Sequence, residues 1–247
     1  MNSGVLGVFL VKSFALAKLA MPEDMASILL AKQDDDFDFT GDGRPGHRNG
    51  GGSRSDCPSV DLPLTALMPS ANFGQTLATH PVLLFYSPYT PDQAPVGEFI
   101  LQDENRNDMY RANITLADTP GIVSVTLPDT MPELVLNQEY RWYLNLYCDA
   151  EQASSPIFLQ GWIQRISSTP TLEAQLVSMP DRAGFVYARN RIWFDAIASL
   201  AENRIENPTD SSLLADWNAL LNARGVNLNL PDSLPFAGPA ILTEELD

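Results

Sequence analysis

The sequence predicts a mainly β protein with added helices: an antiparallel β-sandwich of the immunoglobulin or fibronectin type, followed by a C-terminal αα-hairpin. Six short segments in the middle of the chain are rich in β-branched and aromatic residues, and turn-forming residues separate them. After about residue 186 the apolar residues take helical spacing instead. The connections between the six segments are too short for the crossovers of a parallel sheet, so we expect antiparallel pairing.

The predicted strands follow one another at intervals typical of a sandwich, without a helical pattern between them. They lie at 82–87, 97–102, 109–116, 121–127, 139–148 and 157–166. We therefore place the sandwich domain at residues 57–180.

The last two predicted strands alternate between apolar and polar residues. Trp142, Leu144 and Leu146 fall on one side of the first strand, which we expect to face the core. A hairpin centred between residues 152 and 153 pairs Trp142 with Ile163. The opposite side carries rings, amides and one cation, and these are the candidate binding residues: Arg141, Tyr143, Asn145, Tyr147, Gln160 and Trp162.

This polar side has two interpretations. Flat rings and amides suit a platform for a sugar or a peptide, because rings stack on apolar sugar faces while amides and arginine bind hydroxyls. Alternatively, another element covers it, and the helices are the candidates. Whether the helices cover Tyr143 and Trp162 distinguishes the two.

The helical hairpin is predicted at 181–225, packed on the sandwich. Its second helix, "SSLLADWNALLNARG", has Asp210 before it as a plausible N-cap and a stripe of leucines around Trp217. Residues 226–247 form an acidic, proline-containing tail for which we expect loose order.

The charge balance argues against nucleic acid or an anionic membrane as a partner. The chain has 31 acidic and 15 basic residues, a net charge of −16, and all three lysines precede residue 33. Residues 1–33 are interpreted as an atypical export leader, since Lys12 interrupts the apolar run. No later segment reaches the ~20 apolar residues of a membrane helix.

The two cysteines leave two alternatives open. Cys57 and Cys148 bracket most of the predicted strands, and in an oxidising compartment a bridge between them would close a long loop. They are equally compatible with two unrelated buried thiols.

The sequence shows no pattern typical of catalysis, so we predict no catalytic residue, no metal site and no cofactor. The two histidines, His47 and His80, have neither zinc-ligand nor nucleophile–base spacing. No P-loop and no G-x-S-x-G motif is present.

Pairs of acidic residues give no further evidence of a catalytic site. Asp103 and Glu104 lie in a turn-rich segment, where acids usually meet solvent. Asp195 and Asp216 lie on the predicted helices beside tryptophans. We expect the latter two to cap a helix or to pair with Arg189 or Arg191.

The stretch "DDDFDFTGDGRPGHRNGGGSRSDC" invites comparison with a calcium loop. Asp36, Asp38 and Thr40 match the first ligand positions of an EF-hand, but His47 takes the place of the bidentate acid at position 12. We therefore interpret residues 34–56 as a flexible linker, acidic and then rich in glycine and arginine.

Several segments carry a family resemblance. They are "GRPGHRNGGGSRSDCP", "LTALMP", "THPVLLFYSPY", "EFILQDENRNDMYR", "TPGIVSVTLP", "YRWYLNLYCD", "GWIQRI" and "IWFDAIASLAENR". In this order and spacing, over about 43 to 225, the chain resembles the cyanobacterial domain-of-unknown-function 928 family. The resemblance implies an exported protein with a signal peptide, hence a periplasmic or secreted location, and a cysteine at both Cys57 and Cys148, which favours the disulfide. It implies no activity.

Two function hypotheses follow. We favour a non-catalytic binding module of the cell envelope, with a protein or a glycan as partner. The alternative is an envelope-associated hydrolase that uses loop carboxylates and arginine.

Overall fold

Eleven strands and four helices are found in the described residues. The computed structural model describes residues 37–51, 56–151, 155–231 and 233–244, all within one compact unit. The predicted leader, 1–33, lies outside the described residues. The strands are β1 (His47–Gly51), β2 (Thr65–Ala66), β3 (Phe73–Thr76), β4 (Val82–Ser87), β5 (Val96–Gln102), β6 (Asp108–Thr115), β7 (Gly121–Thr126), β8 (Glu139–Tyr147), β9 (Ile157–Arg165), β10 (Phe236–Pro239) and β11 (Ile241–Glu244). The helices are α1 (Pro170–Ser178), α2 (Ala183–Arg189), α3 (Trp193–Glu206) and α4 (Ser211–Leu221).

The strands form one nearly closed, barrel-like sheet of mixed direction. Hydrogen-bonded neighbours follow the order β10-β7-β4-β2-β1-β9-β8-β5-β6-β11, and β3 pairs with β9 beside this path. In the described residues β3–β9 and β10–β7 pair in parallel. The prediction of a mainly β protein with helices towards the C-terminus is confirmed, but this single mixed path differs from the two antiparallel sheets expected of an immunoglobulin-like sandwich. Local patterns identify strands without revealing their order, which is why the sequence missed the difference.

The core side of β8 and β9 is as predicted. Trp142, Leu144, Leu146 and Leu159 are at most 1% exposed. The register differs, since Trp142 lies opposite Gly161 rather than Ile163. A shift of two residues leaves every side chain on its predicted side, because side chains alternate with a period of two.

The helical region begins earlier than predicted. Helix α1 lies inside the predicted sandwich domain, with Thr169 as N-cap accepting a hydrogen bond from the backbone N of Leu172. The predicted first helix of the hairpin is interrupted before α3 by Arg191, whose φ is +63°. In α4, Asp210 is the N-cap as predicted.

Helix α3 packs on β3 and β4. The indole Nε1 of Trp193 donates to the carbonyl of Leu67 at 2.8 Å. Asp195 accepts a hydrogen bond from the backbone N of Leu77 at 3.0 Å, and burial raises the pKa of its carboxyl. Asp216 forms its ion pair with Arg182 at 2.9 Å. These acids therefore serve the packing of the helices.

Residues 37–51 of the predicted linker are part of the fold, which corrects the prediction of flexibility for that range. Phe37 and Phe39 are 2% and 6% exposed, and the Phe39 ring meets that of Trp193 edge-on at 4.9 Å. The carboxylate of Asp38 accepts hydrogen bonds within its own turn, from the backbone N and the Oγ1 of Thr40. Two phenylalanines separated by one residue anchor this segment despite its acidic composition.

No calcium loop is seen in the described part of this segment. Asp36, the first ligand position of that hypothesis, lies outside the described residues. Over the residues that the structure describes, no group of three or more His, Cys, Asp or Glu side chains could hold a metal ion.

Strand β1, from the same segment, joins the two halves of the sheet. It pairs with β2 on one side, Asn49 opposite Thr65, and with β9 on the other, His47 opposite Gln160. Glycine and asparagine are depleted in strands, so the sequence "HRNGG" predicted no strand here.

Part of the predicted tail also belongs to the sheet. Strand β10 pairs with β7 and strand β11 with β6, at opposite ends of the path, and Ala240 alone separates the two strands along the chain. The backbone N of Ala240 donates to the carbonyl of Ser124 at 2.8 Å. One short segment therefore links both ends of the sheet, where the sequence predicted loose order because prolines and glycine interrupt it.

Cys57 and Cys148 form a disulfide, with their Cα atoms 4.9 Å apart. This confirms the pairing that the resemblance favoured. No helix within the described ranges is long and apolar enough to span a membrane.

Reduction of this disulfide is expected to lower the stability of the protein. The bridge closes a loop with a sequence separation of 91, for which the chain-entropy model gives about 4 to 5 kcal/mol. Thermal unfolding with and without dithiothreitol measures the loss. A Cys57→Ser/Cys148→Ser double variant is the control, and it should start at the lower midpoint and not respond to the reductant. A wild-type midpoint that reduction leaves unchanged would contradict the prediction.

The Gly46→Ala variant is expected to lose about 1–3 kcal/mol of unfolding free energy, because an added Cβ overpacks the β1–β9 junction. That Cβ would lie 2.6 Å from the carbonyl oxygen of Gln160 and 2.9 Å from the Cβ of Asn72. Gly43→Ala is the matched control, since its Cβ would meet nothing closer than 3.6 Å. Urea unfolding compares the two, and equal stabilities would show that β1 does not pack closely on β9.

Candidate binding face and adjoining cavity

The candidate residues of β8 and β9 lie together on the side of the sheet opposite the core. We call this set the aromatic–amide face: Arg141, Tyr143, Asn145, Tyr147, Gln160 and Trp162. All six side chains are partly exposed. In the observed register Arg141 lies opposite Trp162 and Tyr143 opposite Gln160. The two-residue shift therefore changes the neighbours of each side chain but not the membership of the face.

The helices do not bury this face. Helix α3 packs on β3 and β4, and Tyr143 and Trp162 keep partial exposure. The side chain of Trp162 is hydrogen-bonded to the predicted linker instead. Its indole Nε1 donates to the carbonyl oxygen of Pro45 at 2.9 Å. The amide of Gln160 donates to the same oxygen at 3.0 Å. One carbonyl therefore orients two side chains of the face.

Arg141 is held by two aromatic residues of the face. Its guanidinium carbon lies 4.4 Å from the centroid of the Trp162 ring, a cation–π contact. Its Nη1 donates to the hydroxyl of Tyr143 at 3.0 Å. The Nε atom is buried and has no hydrogen-bond partner. These contacts leave the guanidinium few alternative positions.

An ion-pair cluster borders the face on β5 and β6. Asn145 donates to Glu98 at 2.9 Å, Glu98 pairs with Arg111, and Arg111 pairs with Asp108 at 2.7 Å. Burial alone would raise the pKa of Asp108, but hydrogen bonds from Gln102 and Arg111 bring it below its usual value. The cluster has two carboxylates and one guanidinium, so it carries one net negative charge at the border of the face.

A polar cavity of about 340 Å³ adjoins the face at β3. Phe73 lies on its wall and stands opposite Trp162 in the β3–β9 register, so the cavity and the face are neighbours. Its lining comes from five parts of the chain: residues between 39 and 44, residues between 69 and 75, Glu139, Gln164 and Arg191. Gln75 donates to Gln164 at 3.2 Å across this wall.

Arg44 and Glu139 form the charged wall of the cavity. The guanidinium donates two hydrogen bonds to the carboxylate, at 2.9 and 2.6 Å, and lies 5.0 Å from the centroid of the Phe73 ring. The hydrogen bonds from Arg44 lower the pKa of Glu139, and those to Glu139 raise the pKa of Arg44. Glu139 is therefore held as a carboxylate at neutral pH.

The cavity gives the hydrolase alternative little support. A general acid needs a raised pKa, whereas Arg44 lowers that of Glu139. Asp195, whose pKa is raised by burial, does not line this cavity. Asp103 of the predicted acidic pair accepts hydrogen bonds from Asn107, which lower its pKa, within an exposed turn.

Sequence reasoning missed the residues of the cavity. Alternation along β8 and β9 could have added Glu139 and Gln164, which lie on the same side as Arg141 and Trp162. Arg44 and Phe73 had no such signal, because one lies in the predicted linker and the other in a four-residue strand that pairs in parallel.

Comparison with known proteins gives one family. The family model described as Domain of Unknown Function (DUF928) matches residues 49–233. No curated protein and no solved structure matches the chain.

Glu139→Gln is expected to lower stability by about 1 kcal/mol at neutral pH. Because the pKa of Glu139 in the folded protein lies below its usual value of 4.5, its contribution is complete above that value and is lost as the pH falls through the lowered pKa. Urea unfolding of wild type and variant between about pH 7 and pH 2 should therefore show a difference that vanishes in acid.

Glu133→Gln is the matched control for Glu139→Gln. Its ion pair with Arg165 is longer, 3.4 Å, and the Glu133 side chain is 66% exposed. We expect a smaller effect at every pH. A Glu139→Gln effect independent of pH would contradict the assignment of the contribution to the ionised carboxylate.

Proposed function

The chain belongs to the family Domain of Unknown Function (DUF928), and since that description assigns no activity, we propose a function from the geometry: a non-catalytic module that binds a glycan on the aromatic–amide face. The observation that carries the proposal is the set of six partly exposed side chains on a stretch of sheet that the helices leave open. Rings offer flat surfaces to the apolar sides of sugars, and the amides of Asn145 and Gln160 offer groups that bind hydroxyls.

The face is largely arranged before a ligand arrives. Pro45 orients Trp162 and Gln160, and Glu98 holds Asn145. Side chains that are already ordered lose less conformational entropy on binding, so more of the contact energy contributes to affinity. The prior ordering of these side chains supports a binding role for the aromatic–amide face, which lies on the side of the sheet opposite the core.

The cavity extends the site. Its volume of about 340 Å³ falls within the range of ligand sites in proteins, about 300–1,000 Å³. Since Phe73 and Trp162 are register neighbours, a glycan lying across the face reaches the cavity at its β3 end. There Gln75, Gln164 and the Arg44–Glu139 pair present hydrogen-bonding groups.

We further propose a periplasmic or secreted location, with the cell envelope as the source of the glycan. The disulfide between Cys57 and Cys148 supports this, because such bonds persist in oxidising compartments. The atypical leader in the sequence is consistent with export.

Trp162→Ala is expected to weaken glycan binding by at least about tenfold, because it removes the central ring of the face and the support of Arg141. A glycan array with the wild-type protein identifies ligands, and calorimetric titration measures the dissociation constants of both proteins. Ile241→Ala is the control, since it removes a 64% exposed apolar side chain from β11 of the same sheet. A folded Trp162→Ala variant with unchanged affinity, or a wild type that binds no glycan, would contradict the proposal.

A further inference from the structure

We propose that the glycan is acidic and that Arg141 binds the carboxylate of a uronic acid unit. This rests on the proposed function and adds the chemical class of the ligand. It follows from the one feature of the aromatic–amide face that neutral-sugar binding does not require, a guanidinium held in place without an anionic partner.

Arg141 makes no ion pair with a carboxylate anywhere in the described residues. Its hydrogen bond goes to the neutral hydroxyl of Tyr143, and its ring contact is with Trp162. The Nη2 atom donates no hydrogen bond to the described residues, and the side chain of Arg141 is partly exposed. At least one guanidinium nitrogen is therefore available to an incoming anion.

Other arginines of this sheet surface are neutralised. Arg44 pairs with Glu139, Arg111 with Glu98 and Asp108, and Arg165 with Glu133. The protein has 31 acidic residues for 15 basic ones, so carboxylates are abundant. The cross-strand neighbours of Arg141, however, are Gln102 on β5 and Trp162 on β9, both neutral. Glu139 lies two residues along β8 on the same side but pairs with Arg44, so no carboxylate of the described residues pairs with Arg141.

The position of Arg141 suits carboxylate recognition. Arginine presents paired donors that match the two oxygens of a carboxylate, and its planar group stacks on aromatic rings. Stacking on Trp162 and bonding to Tyr143 reduce the freedom that binding would otherwise remove. A ligand that reaches the Trp162 ring also meets this cation.

The surroundings favour a uronic acid over an acidic peptide. Gln160 lies opposite Tyr143, and this pair is the next one on the same face after the Arg141–Trp162 pair. Gln160 therefore offers an amide beside the rings. A uronic acid combines hydroxyls, an apolar ring face and a carboxylate in one unit, so it uses all these groups together. The net charge of −16 disfavours general adsorption of polyanions, so binding of an acidic glycan has to come from a local site of this kind.

The test compares matched ligands on the full-length protein. Oligomers of galacturonate, glucuronate and mannuronate are titrated beside their carboxyl-reduced counterparts, which keep the ring and the linkage but lose the charge. We expect wild type to bind at least one uronate oligomer ten or more times more tightly than its reduced form. We expect Arg141→Gln to abolish this preference, so that the uronate oligomer and its reduced form bind this variant equally.

Two further variants complete the test. Arg106→Gln makes the same change in net charge at an exposed residue of the turn between β5 and β6 that is not part of the face, and it should keep the preference. Arg141→Lys keeps the charge without the paired donors and should reduce the preference by less than Arg141→Gln does. If Arg141→Gln fails to fold, the reduced preference of Arg141→Lys for the uronate oligomer tests the role of the guanidinium instead.

Three results would overturn the inference. Equal affinity for a uronate oligomer and its reduced form would remove the acidic specificity but leave the glycan-binding function. A preference that persists in Arg141→Gln would remove the role of Arg141. Binding of polyglutamate, with no glycan bound by the wild type, would overturn both the inference and the proposed function.

Discussion

Strand β1 pairs with both β2 and β9, and these pairings hold the two halves of the sheet together. Through β1 the half of the sheet formed by β10, β7, β4 and β2 continues into the half formed by β9, β8, β5, β6 and β11. At the other ends of the path, β10 and β11 are consecutive in the chain. The sheet can enclose one core only because both links exist, one made by hydrogen bonds and the other by the covalent chain. Phe37 and Phe39 extend the first link by anchoring the segment before β1 in the core.

The same strand explains why the aromatic–amide face exists. The edge of β9 is shared, since β1 pairs with its first part and β3 with its second, Phe73 lying opposite Trp162. Pro45 lies just before β1, which is why its carbonyl can hold both Gln160 and Trp162. Arg44, one residue earlier, reaches Glu139 and forms the wall of the cavity. A single short segment therefore completes the sheet, orients the face and lines the cavity, so the proposed binding face depends on contacts that also hold the fold.

The sequence predicted the parts of this arrangement that depend on local patterns. Alternation along β8 and β9 placed all six candidate side chains on one side and Trp142 in the core. The predicted register was wrong by two residues, but this shift leaves each side chain on the same side of the sheet. It could not predict β1, whose "HRNGG" has no strand signal, or β10 and β11, which prolines and glycine interrupt. Those elements are strands because distant partners offer unpaired edges to them. The cavity was missed for the same reason, since Arg44 and Phe73 come from segments whose partners are distant in sequence.

Three buried polar atoms of β8 and β9 bear on the proposed role of Arg141. The Nε atoms of Arg141 and Arg165 and the Nε1 of Trp142 are buried without hydrogen-bond partners. Each such atom costs about 1–3 kcal/mol. Arg165 offsets its cost with hydrogen bonds to Leu134 and Glu133, and Trp142 with packing against the Phe85 ring at 5.4 Å. Arg141 gains only a neutral hydroxyl and a ring contact, so an uncharged side chain would serve the fold as well. The proposed acidic ligand would account for a cation kept at that cost on an open face, in a chain with a surplus of acids.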